Sequence, residues 1–257
     1  MSNKFGLIGG KLGHSLSPAI HQLFFEYTGK QGSYELLETD LEALPELVRK
    51  LRAEFAGTNV TIPHKQKVMA LLDELSEDAQ TIGAVNVIAV RRRTSASGTE
   101  VRLKGYNSDV IGFADSLSPL LRPCHRKALV LGTGGASCAV IAALRKMDME
   151  ILCVSRRHQA SYCGAPVITY ADVNADVLAS HLVVVNCTPL GMSPKTDQAP
   201  DIPYGSITAR HLAYDLVYNP AETLFLKKAA AQGATVKNGL EMLHRQAEAS
   251  WRFWNAD

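Results

Sequence analysis

The sequence predicts an α/β protein with a mostly parallel sheet, and three observations carry that reading. Short apolar runs of strand length alternate with amphipathic helical patterns along the chain, the order that builds sheets covered by helices. The alternation is most regular after residue 126, where a glycine-rich turn joins a strand to a helix. The length of 257 residues suits one large domain or two modest ones, at about 100–200 residues each.

Each element has its own local signal. Phe5 to Gly9 reads as a buried strand. Ser17 caps a helix with Pro18 at its start, Ile20, Leu23, Phe24 and Tyr27 on its apolar face, and Gly29 as its stop. Ser33 to Leu37 is strand-like, and Asp40 caps a second helix with Leu41, Leu44, Val48 and Leu51 in line. Gly57 to Ile62 is a strand, after which Pro63 opens a helix through Leu72. Val85 to Val90 and Val101 to Leu103 form a hairpin. Between them Arg91, Arg92 and Arg93 read as a solvated edge, and Ser95 to Gly98 as the turn.

In the second half, strands Lys127 to Leu131 and Glu150 to Val154 flank a helix from Gly135 to Met147. Leu182 to Val185 and Leu212 to Leu216 are further strands. The last helix, Leu240 to Trp254, packs through Leu243, Ala247, Trp251 and Trp254, and Met242 reads as a core residue. Ser193 to Ser206, with three prolines, reads as a mobile loop.

Composition excludes several functions. Hydrophobic residues make up 46 %, charged residues 20 %, and the net charge is +2, so no strong field points to nucleic acid or an anionic membrane. No apolar run could span a bilayer, and the one after Met1 is too short for a secretory leader. Five cysteines without a C-x-x-C pair read as reduced thiols of a cytoplasmic protein. Eight histidines without ligand spacing predict no metal.

The run from Lys127 through Gly132, Thr133, Gly134, Gly135 and Ala136 to Ser137 is a strand, a tight turn and a helix start. Gly132 permits the turn, Gly134 admits a pyrophosphate to the backbone, and the helix N-terminus offers free N–H groups. Ser137 stands where the strict dinucleotide fingerprint has Gly or Ala. After the second strand an NAD site places an acid; here Ser155, Arg156 and Arg157 stand instead. Two guanidiniums match a 2′-phosphate in charge and geometry, which favours NADP over NAD.

Polar clusters mark the strand ends of the first half. These are Ser15-Leu-Ser17-Pro, Asn59-Val-Thr61-Ile-Pro-His64-Lys65, Gly83-Ala-Val-Asn86 and Gly105-Tyr-Asn-Ser108-Asp109. Polar groups at the ends of neighbouring strands form pockets. Together with Asn186 to Met192, Asp215 to Pro220 and Gly239 to Ala247, in this order and spacing, the chain resembles the shikimate dehydrogenase family over nearly its whole length.

The resemblance implies an NADP-linked interconversion of 3-dehydroshikimate and shikimate, in the route to chorismate and the aromatic amino acids. It also implies two domains with a cleft between them. A substrate-binding and catalytic domain would comprise residues 1–108 and 239–257, and a Rossmann-type NADP-binding domain residues 109–238. By matching position, Ser15 and Ser17 would bond the substrate carboxylate. Asn59, Thr61, Asn86 and Asp109 would hold ring oxygens, with Lys65 and Asp109 as the catalytic pair. Tyr218 and Gln246 would complete the substrate pocket. Gly132, Gly134, Gly135 and Ala136 would cradle the pyrophosphate. Ser155, Arg156 and Arg157 would face the adenosine side, Thr188 and Met192 the cofactor cleft, and Gly239 the nicotinamide. A monomer or homodimer binding only small molecules is expected. His14 and His64 flank the pocket motifs as turn or cap residues.

Three positions depart from the family pattern: Ser155-Arg156-Arg157 for Asn-Arg-Thr, Val87 for Thr, and Ser108 for Thr. The rival readings are a quinate/shikimate dehydrogenase with relaxed NAD/NADP use, a non-catalytic NADPH-binding sensor, and an SAM-dependent methyltransferase. The first is separated by comparing substrates and cofactors. The paired Lys65 and Asp109 argue against the second, and Arg156-Arg157 in place of an acid against the third.

Overall fold

Near-continuous apolar runs build strands buried on both faces, and two sheets result. The structure, a computed structural model, describes residues 3–13, 15–96 and 98–256. The chain divides into two compact units, Met1–Asp109 with Gln246–Asp257, and Val110–Arg245. The division falls inside the final helix. Among the described residues no helix is long and apolar enough to cross a membrane.

The first unit contains β1 (Lys4–Gly9), α1 (Ser17–Thr28), β2 (Ser33–Glu38), α2 (Leu44–Glu54), β3 (Gly57–Val60), β4 (Glu74–Leu75), α3 (Glu77–Ile82), β5 (Val87–Ser95) and β6 (Gly98–Tyr106). The sheet order is β2-β1-β3-β5-β6-β4. The β1–β2, β1–β3 and β4–β6 pairs are parallel, and the β3–β5 and β5–β6 pairs antiparallel. Alternation along β5 feeds two cores. Ile88 and Val90 join Ile8, Val60 and the α2 residues Leu44, Val48 and Leu51. Val87 and Ala89 join Phe5, Phe25, Trp251 and Trp254.

Trp254 is the keystone of the second core. Its ring lies 4.8 Å from that of Phe5 and 5.0 Å from that of His21, and its Nε1–H donates to Ile88 O at 3.1 Å. Burial pushes the His21 pKa down to about 4, so its ring packs as a neutral aromatic. A Cβ on Gly57 would lie 2.3 Å from the Trp254 ring, so only glycine leaves room there. Trp254→Ala is expected to lose about 3–5 kcal/mol of stability, read by urea unfolding; a loss below about 1 kcal/mol would contradict this packing account.

The second unit contains α4 (Asp109–Leu117), which starts on the last residue of the first unit, then β7 (Lys127–Leu131), α5 (Ser137–Lys146), β8 (Glu150–Ser155), β9 (Ser161–Tyr162), β10 (Ala165–Thr169), α6 (Ala175–Ser180), β11 (Val183–Asn186), β12 (Leu212–Asp215), α7 (Leu224–Ala230) and β13 (Thr235–Lys237). The last helix, α8 (Leu240–Asn255), starts in this unit and ends in the first. The sheet order is β13-β12-β11-β7-β8-β10-β9. Every pair is parallel except β9–β10. Without the edge strand β9, this is the doubly wound Rossmann order, with its switch point between β7 and β11.

Several local expectations are corrected. Ser17 is the first residue of α1, not its cap; Leu16 is the N-cap, and the Ser17 N–H donates to Ser15 Oγ at 3.2 Å. Asp40 caps a turn through Ala43 N–H at 2.8 Å, so the helix starts at Leu44 and Leu41 stays exposed. The helix expected from Pro63 to Leu72 is only a 3-10 turn, Lys67–Leu71. The Lys65 carbonyl accepts from Val85 N–H at 2.8 Å, and Met69 N–H turns to Gln66. Tertiary pairing has taken the carbonyl an α-helix needs.

The arginine run is a solvated edge only at Arg93, which is exposed. Arg91 to Arg93 extend β5 along β6. Arg91 donates to the carbonyls of Phe253 and Ala256, and Arg92 to those of Arg52 and Phe55, where α8 and α2 end. Cations at helix C-termini satisfy otherwise unpaired carbonyls. The prolines of 193–206 do not free that whole segment: Ile202 within it, and Ile207 just after it, are buried in the second unit's core. The cysteines are not all reduced thiols. Cys138 and Cys163 are joined, Cα to Cα 5.7 Å, while Cys124, Cys153 and Cys187 are free. A β9–β10 turn folded against α5 brings the pair together across 25 residues, which spacing alone does not reveal.

Candidate active site

Strand direction gathers the polar motifs of the first unit at one edge of its sheet. Leu7 of β1 stands opposite Asn59 of β3, Asn59 opposite Val87 of β5, and Val87 opposite Tyr106 of β6. The carboxyl ends of β1, β3 and β6 and the amino end of β5 therefore lie side by side. From them lead the segments bearing Ser15 and Ser17, Thr61 and Lys65, Asn86, and Asp109. A Cβ on Gly9 would lie 2.6 Å from Thr61 Cγ2, so glycine there lets the first two segments close up.

The centre of this edge is an ion pair. Lys65 Nζ donates to Asp109 Oδ2 at 2.6 Å, with the two side chains 18 % and 12 % exposed. Asp109 Oδ1 accepts from Asn86 Nδ2 at 2.8 Å, and Asp109 N–H donates to Asn107 Oδ1 at 3.1 Å. Both carboxylate oxygens are thus held, and Lys65 can turn only a little without losing its partner. Asn86 Oδ1 accepts from Ser108 N–H at 2.6 Å. Asn59 is fixed from two sides: its Oδ1 accepts from Tyr34 O–H at 2.8 Å, and its Nδ2 donates to Ser250 Oγ at 2.9 Å. Ser108 Oγ donates to Gln246 Oε1 at 3.3 Å. Asn59, Lys65, Asn86, Asp109 and Gln246 accordingly belong to one hydrogen-bonded array. Ser15 and Ser17 pair with each other at the start of α1, and Thr61 N–H donates to Ile8 O at 2.8 Å. His64 is fully buried, and its Nε2–H donates to Thr39 O at 2.9 Å, which makes it a structural residue. His14 lies outside the described residues.

In the second unit, the loops after β7 and β11 adjoin at the switch point. Gly132 has φ +98°, and a Cβ there would lie 2.7 Å from Thr188 Cγ2. A Cβ on Gly135 would meet nothing within 4 Å, and one on Gly134 only Cys187 O at 4.0 Å. A bare backbone facing open space leads into α5, whose N-cap, Ala136, has no capping side chain. That combination fits a pyrophosphate. At the end of β8, Ser155 Oγ accepts from Arg157 N–H at 3.2 Å and lies 3.4 Å from Thr133 Oγ1, and Arg156 and Arg157 extend exposed beyond it. Thr188 is held by Asn186 Oδ1 through its N–H at 3.0 Å and its Oγ1 at 2.6 Å. Met192 is exposed, and Tyr218 is half-buried after β12 in this same unit. Gly239 packs so tightly that a Cβ would lie 2.1 Å from Leu216 O.

The family model of the shikimate dehydrogenase substrate binding domain matches residues 7–88. A shikimate dehydrogenase (NADP(+)) of Oleidesulfovibrio alaskensis is 39 % identical, covering 97 % of this chain and 88 % of its own. The chain belongs to the shikimate dehydrogenase family. The shikimate 5-dehydrogenase of Thermus thermophilus, solved with NADP(H) and shikimate, superposes with a TM-score of 0.85 at 36 % identity, over 99 % of this chain and 94 % of that one. The Listeria monocytogenes shikimate 5-dehydrogenase, solved with shikimate and NAD, has a TM-score of 0.85 at 26 % identity, over 98 % and 91 %.

The chain also carries supporting residues that its motifs do not announce. Tyr34, which orients Asn59, lies in β2 with no sequence signal. Ser250 is one helical turn beyond Gln246, so an i, i+4 reading of α8 points to it. Behind Thr188 lies a buried chain of bonds. Asn186 Nδ2 donates to Asp215 Oδ1 at 3.0 Å, and Asp215 also accepts from Val217 N–H at 3.0 Å and Thr223 O–H at 2.5 Å.

Burial raises the Asp215 pKa to about 6, with those three donors pulling it back only in part. A carboxyl raised on folding holds its proton more tightly in the native state. Its contribution is complete below pH about 4 and is lost as pH rises through about 6. Between those limits the protein is expected to lose about 3 kcal/mol that Asp215→Asn does not lose. Parallel urea unfolding of both proteins at pH 4 and 7 checks this; identical pH slopes would contradict it.

Proposed function

We propose that the chain catalyses the reversible NADP-dependent reduction of 3-dehydroshikimate to shikimate, with the first unit holding the substrate and the second the cofactor. The observation that carries this reading is the Lys65–Asp109 pair at 2.6 Å, set among neutral hydrogen-bonding groups at one sheet edge. A cyclic polyhydroxy acid needs such a setting: hydroxyl partners around a ring and one group that exchanges a proton.

NADPH supplies the hydride when bound at the β7–α5 turn. Adding a hydride to a ketone leaves negative charge on the oxygen. Lys65 Nζ donates the proton that completes the alcohol and supplies positive field there beforehand. Asp109, anchored by Asn86, keeps the ammonium aimed and takes a ring hydroxyl as a hydrogen-bond donor. Ser15 and Ser17 offer hydroxyl hydrogens to the carboxylate, and Asn59, Thr61 and Asn86 bind ring oxygens. Gln246, bonded to Ser108, closes the substrate's surroundings. In the second unit, Gly132, Gly134, Gly135 and Ala136 receive the pyrophosphate, Ser155, Arg156 and Arg157 the 2′-phosphate side, Thr188 and Met192 line the cofactor's path, and Gly239 lies near the nicotinamide. The enzyme works in the cytoplasm as a monomer or homodimer.

A four-way comparison of shikimate and quinate with NADP and NAD tests the reading. Following nicotinamide absorbance, shikimate with NADP is expected to give the highest kcat/KM. Comparable turnover of quinate or preference for NAD would favour the relaxed dehydrogenase. No turnover despite cofactor binding would favour a sensor.

A further inference from the structure

A cysteine pair sits where the two halves of the cofactor cradle join. Cys138 is the second residue of α5, directly after the glycine turn. Cys163 lies in the two-residue turn between β9 and β10. Both are half-buried, and their Cα atoms are 5.7 Å apart, within the range a disulfide spans.

The turn itself points to the sulfur. Cys163 and Gly164 both have positive φ, +46° and +72°, as a two-residue hairpin turn requires. Such first positions favour Asn, Asp or Gly, since other side chains are strained there. A cysteine there is strained without offering the local hydrogen bonds of Asn or Asp, and what it does offer is a thiol opposite Cys138. Two further contacts tie this turn to the cradle. Tyr162 O–H donates to Gly134 O at 2.9 Å, and Arg145 of α5 donates to Cys163 O at 2.7 Å.

We propose that Cys138 and Cys163 form a reversible dithiol–disulfide site, modified by low-molecular-weight disulfides, that sets the affinity for NADPH. The segment from Arg156 to Tyr162 runs from the end of β8 to this turn. Joining Cys163 to Cys138 closes that segment onto the first turn of α5. The oxidised pair therefore holds the guanidinium segment against the pyrophosphate turn, and reduction lets it move. The coupling rests on the assignment of Arg156 and Arg157 to the 2′-phosphate; the thiol site itself does not.

The chemistry balances with oxidised glutathione as the oxidant. The Cys138 thiolate attacks one glutathione sulfur and expels a glutathione thiolate. The Cys163 thiolate then attacks the Cys138 sulfur of the mixed disulfide and expels the second. Two protein thiols lose two electrons and two protons, and one oxidised glutathione becomes two reduced molecules. A dithiol reductant reverses both steps.

The test uses the full chain, equilibrated in oxidised or reduced glutathione. Thiol alkylation and peptide mapping find the cross-link, and fluorescence titration measures NADPH and NADH binding. Expected are a Cys138–Cys163 cross-linked peptide in the oxidised sample and an NADPH Kd at least about fivefold higher after reduction, with NADH binding and the shikimate KM unchanged. Cys138→Ser should show the reduced-state affinity in both buffers, and Cys163→Ser serves if that variant folds poorly. Absence of the cross-link overturns the site. A cross-link with unchanged NADPH affinity, or a redox response that persists in both serine variants, overturns the coupling. Equal NADPH and NADH affinities in both states overturn the 2′-phosphate reading beneath it.

Discussion

Lys65→Ala is expected to lower kcat for shikimate oxidation about 10²–10⁴-fold with little change in the shikimate KM. The reason is where the ammonium acts. Its field and its proton matter most when the ring oxygen carries charge, whereas the neutral groups around it bind the ground state as well. Removing the side chain also frees Asp109 Oδ2 from its 2.6 Å partner, while Asn86 still holds Oδ1. The array therefore survives in outline, and substrate binding with it. Steady-state kinetics separate the two parameters. Turnover within threefold of the parent would remove Lys65 from the chemistry. A raised KM with unchanged kcat would make it a binding residue instead.

The second large effect concerns the cofactor. Arg156→Ala combined with Arg157→Ala is expected to raise the KM for NADP about 100-fold and to leave that for NAD nearly unchanged. Charge-assisted hydrogen bonds contribute roughly 1.5–3 kcal/mol each, and an exposed site stays toward the lower figure. Both side chains lie beyond the buried Ser155, outside the core, so their truncation leaves the fold intact. The measurement is the ratio of kcat/KM for the two nucleotides. A ratio unaffected by the double substitution would place the 2′-phosphate elsewhere.

Much of this site was legible because its signals are local. The glycine turn after β7 and the arginines after β8 sit in consecutive residues, and a strand followed by Gly-x-Gly permits few backbone paths. The polar strings of the first half were legible for the same reason. What escaped depends on partners distant in sequence. The stretch from Pro63 carries a helical pattern, yet the Lys65 carbonyl is taken by Val85 N–H. Arg91 and Arg92 look solvated until α8 and α2 present their terminal carbonyls. Tyr34 behind Asn59 and Cys163 opposite Cys138 are likewise products of tertiary folding. Short elements such as β4, β13 and α3 have too few residues to show a period at all.

Direct hydride delivery is the step on which the rest depends, and isotope transfer reports it without any kinetic model. The enzyme would be given 3-dehydroshikimate with NADPH deuterated at either face of the nicotinamide C4, and the product examined by mass spectrometry and NMR. For one of the two labelled faces, deuterium should appear in shikimate on the carbon that was the ketone. Shikimate free of label from both cofactors, or no shikimate at all, would contradict the account.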